Sequence, residues 1–370
     1  MTVLFVSNGY GEDVIACQLA KAIREIDLDV DMMACPLVGD GVVYRNHGLD
    51  ILGKNRSMPS GGFARTAWDF FGDITAGLFK QFAGQLRLLK KTKVSYVFAV
   101  GDVYCLWMAK NVSRETLVFL PTAKSHLFMN HSFIERLIIK KYSDIVFPRD
   151  DLTTNDLAKK GINAYFFGNP MMDNLKPSGL VLPVTNDFPV ITILPGSRDE
   201  AYANFKLICD VLEGLEDVQL LAALPPQLSL EKLAVNLQFL GWTLVDSRHF
   251  RKRGTSLLLI SNFIDVVNRA DVVVGLAGTA NEQSIFLGKS VISFVGTGPQ
   301  STRQRFLEQK KLLGESYYFI DEKDSSKLRQ KVKTRIATIL EGSSGRSPET
   351  ASLSVQYASR DIVKKVFKTT

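Results

Sequence analysis

The sequence carries a rhythm that runs, stops and starts again, and few folds can accommodate it. Short apolar runs rich in β-branched and aromatic residues recur at Val3–Ser7, Val30–Cys35, Val94–Val100, Thr116–Leu120, Ile145–Pro148 and Ala164–Phe167. Helical spacing lies between them, clearest over 14–26, where Val14, Cys17, Leu19, Ala20 and Ile23 share a face. Continuous apolar runs suit strands buried on both faces, and their alternation with helices predicts βαβ units on a parallel sheet. From Lys176 to Phe188 the period gives way to Pro, Gly, Asn, Thr and Ser, which reads as a linker. The rhythm resumes at Val190–Leu194 and continues through Gln219–Ala223, Leu257–Ile260, Asp271–Leu276 and Ser290–Val295. The expectation is an α/β protein of two Rossmann-like, doubly wound domains facing a cleft. The first covers 1–175 and the second 176–340. Residues 341–370 form a tail: a Gly/Ser break, then a final helix over Tyr357–Phe367 that could cross back to the first domain.

Two loops of the second series suit phosphate. Pro195-Gly196-Ser197-Arg198 follows its opening strand. Glycine lets the backbone approach a ligand, serine brings a hydroxyl, arginine a bidentate fork, and a following helix N-terminus adds positive potential. The plainer alternative is a β–α turn with a surface arginine. Gly278-Thr279-Ala280-Asn281-Glu282-Gln283 follows a Val-rich strand. Its small residues leave room against the backbone, Thr279 and helix N–H groups suit phosphate, and Glu282 is placed for ribose hydroxyls. The alternative there is a turn capped by Thr279 with Glu282 closing a capping box.

The first series carries acids instead. Asn8-Gly9-Tyr10-Gly11-Glu12-Asp13 is a partial GxGxxG with Val14 in place of the last glycine, and Asp31 could serve a ribose. A nicotinamide dehydrogenase is disfavoured, because Val14 obstructs helix–strand packing and two acids would face a pyrophosphate. Glu12 and Asp13 suit hydroxyl groups and proton removal, or simple compensation of a helix dipole. Asp102 ends the Val94–Val100 run at Gly101-Asp102, where ligands bind but where a lone Asp is more often a helix cap than a base. Asp29-Val30-Asp31 opens a strand rather than ending one and reads as a solvated edge, not a metal-binding DxD.

Residues 61–93 differ from the rest. Ala67, Phe71, Ile74, Leu78, Phe82, Leu86 and Leu89 recur at helical steps, with six basic residues against two acidic. Such a helix suits an anionic lipid interface or packs on the sheet. Charge sharpens this. Lys and Arg total 45 against 38 Asp and Glu, an excess of seven. Residues 319–370 hold 11 basic and 6 acidic side chains, so local patches carry the excess; this favours a membrane surface over nucleic acid. No run approaches a membrane span of about 20 residues. Cys17, Cys35, Cys105 and Cys209 form no CxxC, and the four histidines show no ligand spacing, so no metal site is expected. The start lacks a basic leader region, which points to the cytoplasm.

Taken together, the Gly loop with Glu12-Asp13, Gly101-Asp102, Phe167-Gly168-Asn169-Pro170-Met171-Met172-Asp173, Leu194-Pro195-Gly196-Ser197-Arg198 and Gly278-Thr279-Ala280-Asn281-Glu282 resemble the GT-B glycosyltransferases. They are most similar to the lipid-A-disaccharide synthase family, in its cyanobacterial "synthase-related" branch, over nearly the whole chain. The resemblance implies an inverting, metal-independent transfer from a UDP-linked, acylated glucosamine to a phosphorylated acylated sugar. No cofactor beyond the UDP-sugar co-substrate is implied. It places Gly196, Ser197, Arg198 and 278–283 on the donor, Asp102 as base or acceptor-positioning group with Glu12 and Asp13 next, and Gly9, Gly11, Lys124 and Ser125 in acceptor loops. The chain departs from the family at Gly11-Glu12-Asp13, where Ser-Gly-Asp is usual, and at Pro121–His126, where an aromatic-rich run is usual. A UDP-sugar epimerase of the same fold and a nonenzymatic sugar-nucleotide or lipid binder are the competing readings.

Overall fold

Both apolar series fold into parallel sheets covered on their two faces by helices. The computed structural model describes residues 1–9, 11–53, 78–197, 199–225, 228–343 and 357–368. The chain divides into two units: Met1–Asn174 with Gln356–Thr370, and Leu175–Val355.

The first unit runs β1 (Thr2–Ser7), α1 (Gly11–Ile26), β2 (Asp31–Pro36), α2 (Val42–Asn46), β3 (Asp50–Ile51), α3 (Leu78–Lys91), β4 (Tyr96–Gly101), α4 (Val103–Ala109), β5 (Thr116–Pro121), α5 (Phe133–Tyr142), β6 (Ile145–Val146) and α6 (Asp151–Lys159). Its strands lie in the order β3-β2-β1-β4-β5-β6, every pair parallel. Alternation along β1 splits the core. Val3 and Phe5 pack with Ile15, Leu19 and Ile23 of α1, whereas Leu4 and Val6 face Leu89, Cys105, Met108 and Ile139. The end of the 61–93 stripe takes the packing alternative: Leu89 is fully buried and Phe82 and Leu86 pack against the same core. Residues 61–77 of that stripe lie outside the described residues. The run Ala164–Phe167 is not a strand. Ala164 makes one bridge to Val146, and Phe167 is left outside on Phe147 and Tyr165.

The second unit runs β7 (Val190–Leu194), α7 (Ala201–Val211), β8 (Gln219–Ala223), α8 (Leu230–Phe239), β9 (Thr243–Asp246), β10 (His249–Lys252), β11 (Thr255–Ile260), α9 (Phe263–Arg269), β12 (Val272–Gly275), α10 (Thr279–Phe286), β13 (Val291–Phe294), α11 (Arg303–Leu313), β14 (Tyr317–Ile320) and α12 (Ser325–Ser343). The strand order is β14-β13-β12-β7-β8-β11-β10-β9, parallel throughout except that β10 pairs antiparallel with both β11 and β9. The stretch expected to be a linker is fixed to this unit. Asp265 accepts bonds from Ser178 N and Oγ and from Gly179 N, and Gln219 brackets Thr185.

The last helix, α13 (Ala358–Lys368), belongs to the first unit. Ile362, Val363 and Val366 enter the core beside α1. The Gly-Asn-Pro-Met-Met-Asp motif prepares its seat. Asn169 caps a 3-10 turn over Pro170–Met172, and the buried carboxylate of Asp173 accepts from Ala358 N at 2.9 Å and Ser359 N at 2.7 Å. Burial raises the Asp173 pKa, although those bonds oppose it.

Candidate functional site

In an open parallel sheet the reversal of strand order leaves a crevice at the carboxyl ends of two neighbouring strands, where ligands bind. The reversals here fall between β1 and β4 and between β7 and β12. Nearly all the residues singled out above lie at one or the other.

At the second unit's reversal, Gly196 turns the chain after β7 with φ +101°, and a Cβ there would stand 3.7 Å from the Leu276 carbonyl. The two loops therefore adjoin. Asn204, buried in α7, stitches them to a third. Its Nδ2 donates to Pro195 O, Thr297 O and Ser301 Oγ, and its Oδ1 accepts from Thr297 N at 2.8 Å. Ser301 Oγ donates to Leu276 O at 3.0 Å. The loops leaving β7, β12 and β13 thus form one surface. Ser197 lies on it but not at a helix N-terminus, since α7 starts only at Ala201. Arg198 lies outside the described residues.

The Gly278 turn is held from beneath. Gln309 Nε2 donates to Ala277 O and Gly278 O, both at 3.2 Å, while its Oε1 accepts from Tyr317 OH at 2.7 Å and from Asn281 Nδ2. With those carbonyls drawn inward, the start of α10 is left as a donor surface. Glu282 N, bonded to Gly278 O, begins the intrahelical series, so the N–H groups before it have no intrahelical acceptor. No side chain caps this end, because Thr279 is the first helical residue and not the cap. The capping-box alternative therefore fails by one residue. Gly278 and Ala280 are partly exposed, and a Cβ on Gly278 would meet open space. Glu282 and Gln283 are half-buried in the first turns of α10. Asn281 does not join them. It is wholly buried, donates to Gly275 O and Ser293 Oγ, and its Oδ1 sits where a Cβ on Gly275 would be. It supports the turn and cannot touch a donor.

The first unit's reversal is acidic. Gly9 leaves β1 with φ +99°, and any side chain would strike the Val38 carbonyl; Gly11 opens α1. Glu12 is half-buried and accepts from Thr122 Oγ1 at 3.2 Å, which ties the end of β5 to the start of α1. Asp102 follows β4 and caps α4, its Oδ1 accepting from Cys105 N at 3.0 Å. A carboxylate has a second oxygen, so capping and substrate binding are compatible. Asp13 is placed differently. It is 3% exposed and accepts from Ser7 Oγ at 2.6 Å, which in turn accepts from Tyr44 OH at 2.6 Å. Burial, and then the Asp13 charge, drives the Tyr44 phenol well above its ordinary pKa, so the chain of bonds stays protonated. Asp13 anchors the loop internally and is not placed to reach an acceptor. Ser125 is also buried, its Oγ accepting from Leu127 N. Lys124 is ion-paired to Glu135 at 2.8 Å. Burial pushes the Glu135 carboxyl up, but bonds from Lys124 and Ser132 outweigh it and hold it below its usual range.

Asn204, Ser301 and Gln309 are supports that no motif marks. The sequence carries a signal for two of them: Asn204 stands between Ala201 and Phe205, and Gln309 follows Phe306, each on a buried helix face. A polar residue on such a face must find a partner, and loop carbonyls supply it.

No protein-family profile matches the chain, and neither does any curated protein. Solved structures do. MurG of Acinetobacter baumannii is 11% identical over 99% of each chain, with a TM-score of 0.59. CalG4, the calicheamicin glycosyltransferase, is 11% identical over 99% of this chain and 97% of its own, with a TM-score of 0.58. The UDP-GlcNAc 2-epimerase of Neisseria meningitidis, solved with UDP-GlcNAc bound, is 13% identical over 100% of both chains, with a TM-score of 0.54. The likeness is one of architecture, and it covers the whole chain: this is the GT-B fold, two α/β halves on parallel-dominated sheets.

Proposed function

We propose that this chain is an inverting, metal-independent glycosyltransferase, similar to lipid-A-disaccharide synthase. It moves an N-acetylglucosamine-type sugar, with or without an acyl chain, from a UDP-sugar to a lipid or lipid-linked acceptor. One observation carries the reading: the two strand-order reversals have opposite chemistry. The second offers backbone donors suited to a diphosphate, and the first offers carboxylates suited to a hydroxyl.

Asp102, aided by Glu12, takes the proton of the acceptor hydroxyl as that oxygen attacks the anomeric carbon. The bond from that carbon to the diphosphate oxygen breaks, and UDP leaves with the electron pair. Arg198 and the α10 N–H groups hold the charge that develops, which stabilises the transition state more than the ground state. Glu282 binds the ribose. The protein works at the cytoplasmic face of the membrane, with the part of 61–93 ahead of the core-packed Phe82, Leu86 and Leu89 as a peripheral contact. Among the described residues, no helix is long and apolar enough to cross a bilayer.

The test is incubation with UDP-N-acetylglucosamine and a lipid extract, followed by mass spectrometry. A new glycolipid together with free UDP is expected. Donor converted without acceptor would favour the epimerase reading, which the Neisseria structure supports through its fold. Arg198→Ala should cost about 2–4 kcal/mol of transition-state stabilisation. Undiminished UDP binding and turnover in that variant would remove Arg198 from the site.

A further inference from the structure

A surface helix ordinarily turns polar residues to solvent. Helix α5 does the reverse. Phe133 and Ile134 are each 68% exposed and Leu137 is 51% exposed. At 100° per residue these three, with Lys140 and Lys141, fall within an arc of about 120°. All five are exposed, whereas Ile139 on the opposite side is fully buried. Leu127 and Met129, in the loop before the helix, add further exposed apolar surface.

The outward arc therefore reads apolar for its first turns and cationic for its last, with no acid in it. The one acid of the helix, Glu135, lies outside that arc and is paired to Lys124 at 2.8 Å. Lys140 donates to the Lys160 carbonyl at 3.3 Å, which brings the exposed end of α6 alongside and adds cations there. Neither Lys140 nor Lys141 has an ion-pair partner among the described residues. Five exposed apolar side chains gathered on one helix face and its leading loop mark an interaction surface. Its charge selects the partner. A second copy docked by this face would bring like charges together, as an isologous interface repeats the same patch on both sides. An anionic bilayer accepts the apolar half at the acyl boundary and the lysines at its headgroups.

We infer that the outward face of α5, from Phe133 to Lys141, docks this protein on an anionic lipid surface. That face shares the membrane partner of the transferase reading and gives that reading a second contact. Its place matters: α5 follows the loop that leaves β5, whose Thr122 bonds Glu12. The apolar end of the helix is thus on the carboxyl edge of the sheet, the edge that also carries Asp102. A lipid-linked acceptor held in the bilayer would reach the carboxylates without leaving it.

The full chain is sedimented with phosphatidylcholine vesicles and with mixed phosphatidylcholine–phosphatidylglycerol vesicles. The expected result is co-sedimentation with the mixed vesicles alone, weakened by salt. The triple variant F133S/I134S/L137S should lose it by roughly ten-fold or more, with an unchanged melting temperature because the side chains are exposed. K140E/K141E should lose the preference for anionic lipid. Undiminished binding by the triple variant, or no binding by the parent chain, would overturn the inference. So would a dimer that the triple variant dissolves. UDP affinity is measured on the same samples, so failure here and failure of the nucleotide reading are told apart.

Discussion

The two sheets reverse their strand order in the same way but finish the reversal with different materials. In the second unit the loops are joined by neutral groups: Asn204 ties the β7 loop to the β13 loop, Ser301 ties that to the β12 loop, and Gln309 draws the carbonyls of Ala277 and Gly278 inward. In the first unit the loops are joined through carboxylates: Glu12 takes the Thr122 hydroxyl, Asp102 caps α4 and Asp13 anchors Ser7. A fold supplies the crevice, and the side chains beneath it decide which charge the crevice accepts. On the proposed transferase reading, amide supports leave an electropositive rim for a leaving diphosphate. On the same reading, carboxylate supports leave proton acceptors for an attacking hydroxyl.

The sharpest way to break this contrast is to neutralise one carboxylate at a time. Asp102→Asn keeps a good helix cap but loses the base, so turnover should fall by roughly 10²–10⁴-fold. Glu12→Gln, which keeps the Thr122 contact, should fall less. Neither change should alter UDP affinity measured by calorimetry. If either weakens UDP binding as much as turnover, the division of labour between the units is wrong. Removing an amide gives the converse result. Gln309→Ala takes one acceptor from Tyr317 OH and one donor from each of the Ala277 and Gly278 carbonyls, a loss of about 1–3 kcal/mol. It should appear as weaker UDP binding and a lower melting temperature. Near neutral pH the smallest effect comes from the thiols. Burial raises Cys17, Cys35 and Cys209 from 9.0 to about 12. Below pH 9.0 they add no pH dependence. Above it the unfolded chain releases their protons first, so stability falls as pH rises from 9.0 toward 12. In the native protein a thiol reagent should react only through opening, with Cys209 reporting the second unit and Cys17 and Cys35 the first.

Much of the architecture could be read from the sequence, because buried parallel strands are continuous apolar runs and the loops after them are rich in glycine. The hairpin β9–β10 could not. His249-Phe250-Arg251-Lys252 buries only Phe250, so a strand one place in from the sheet edge looks there like charged loop. β14 escaped because Tyr317–Ile320 is four residues long beside a basic helix. Lys176–Phe188 has a linker's composition, yet Asp265, far along the chain, binds it. At the site, composition placed Gly196, Gly278 and Asp102 at strand ends. It could not separate Asn281, which supports the turn, from the partly exposed Gly278 and Ala280, because a buried and a ligand-facing asparagine are the same letter. Nor could it separate Asp13 from Glu12, neighbours that α1 turns to opposite fates.

The seat that Asp173 makes for α13 bears on how the protein is made. The second unit is one continuous stretch, whereas the first contains a piece from the far end of the chain. During synthesis the first 174 residues leave the ribosome with a face of α1 uncovered. That face waits while the whole second unit is translated and free to fold, since domains generally fold as units. The half that starts first therefore finishes last. A chain cut short by a dozen residues would have an intact second half and a first half that never closed its core.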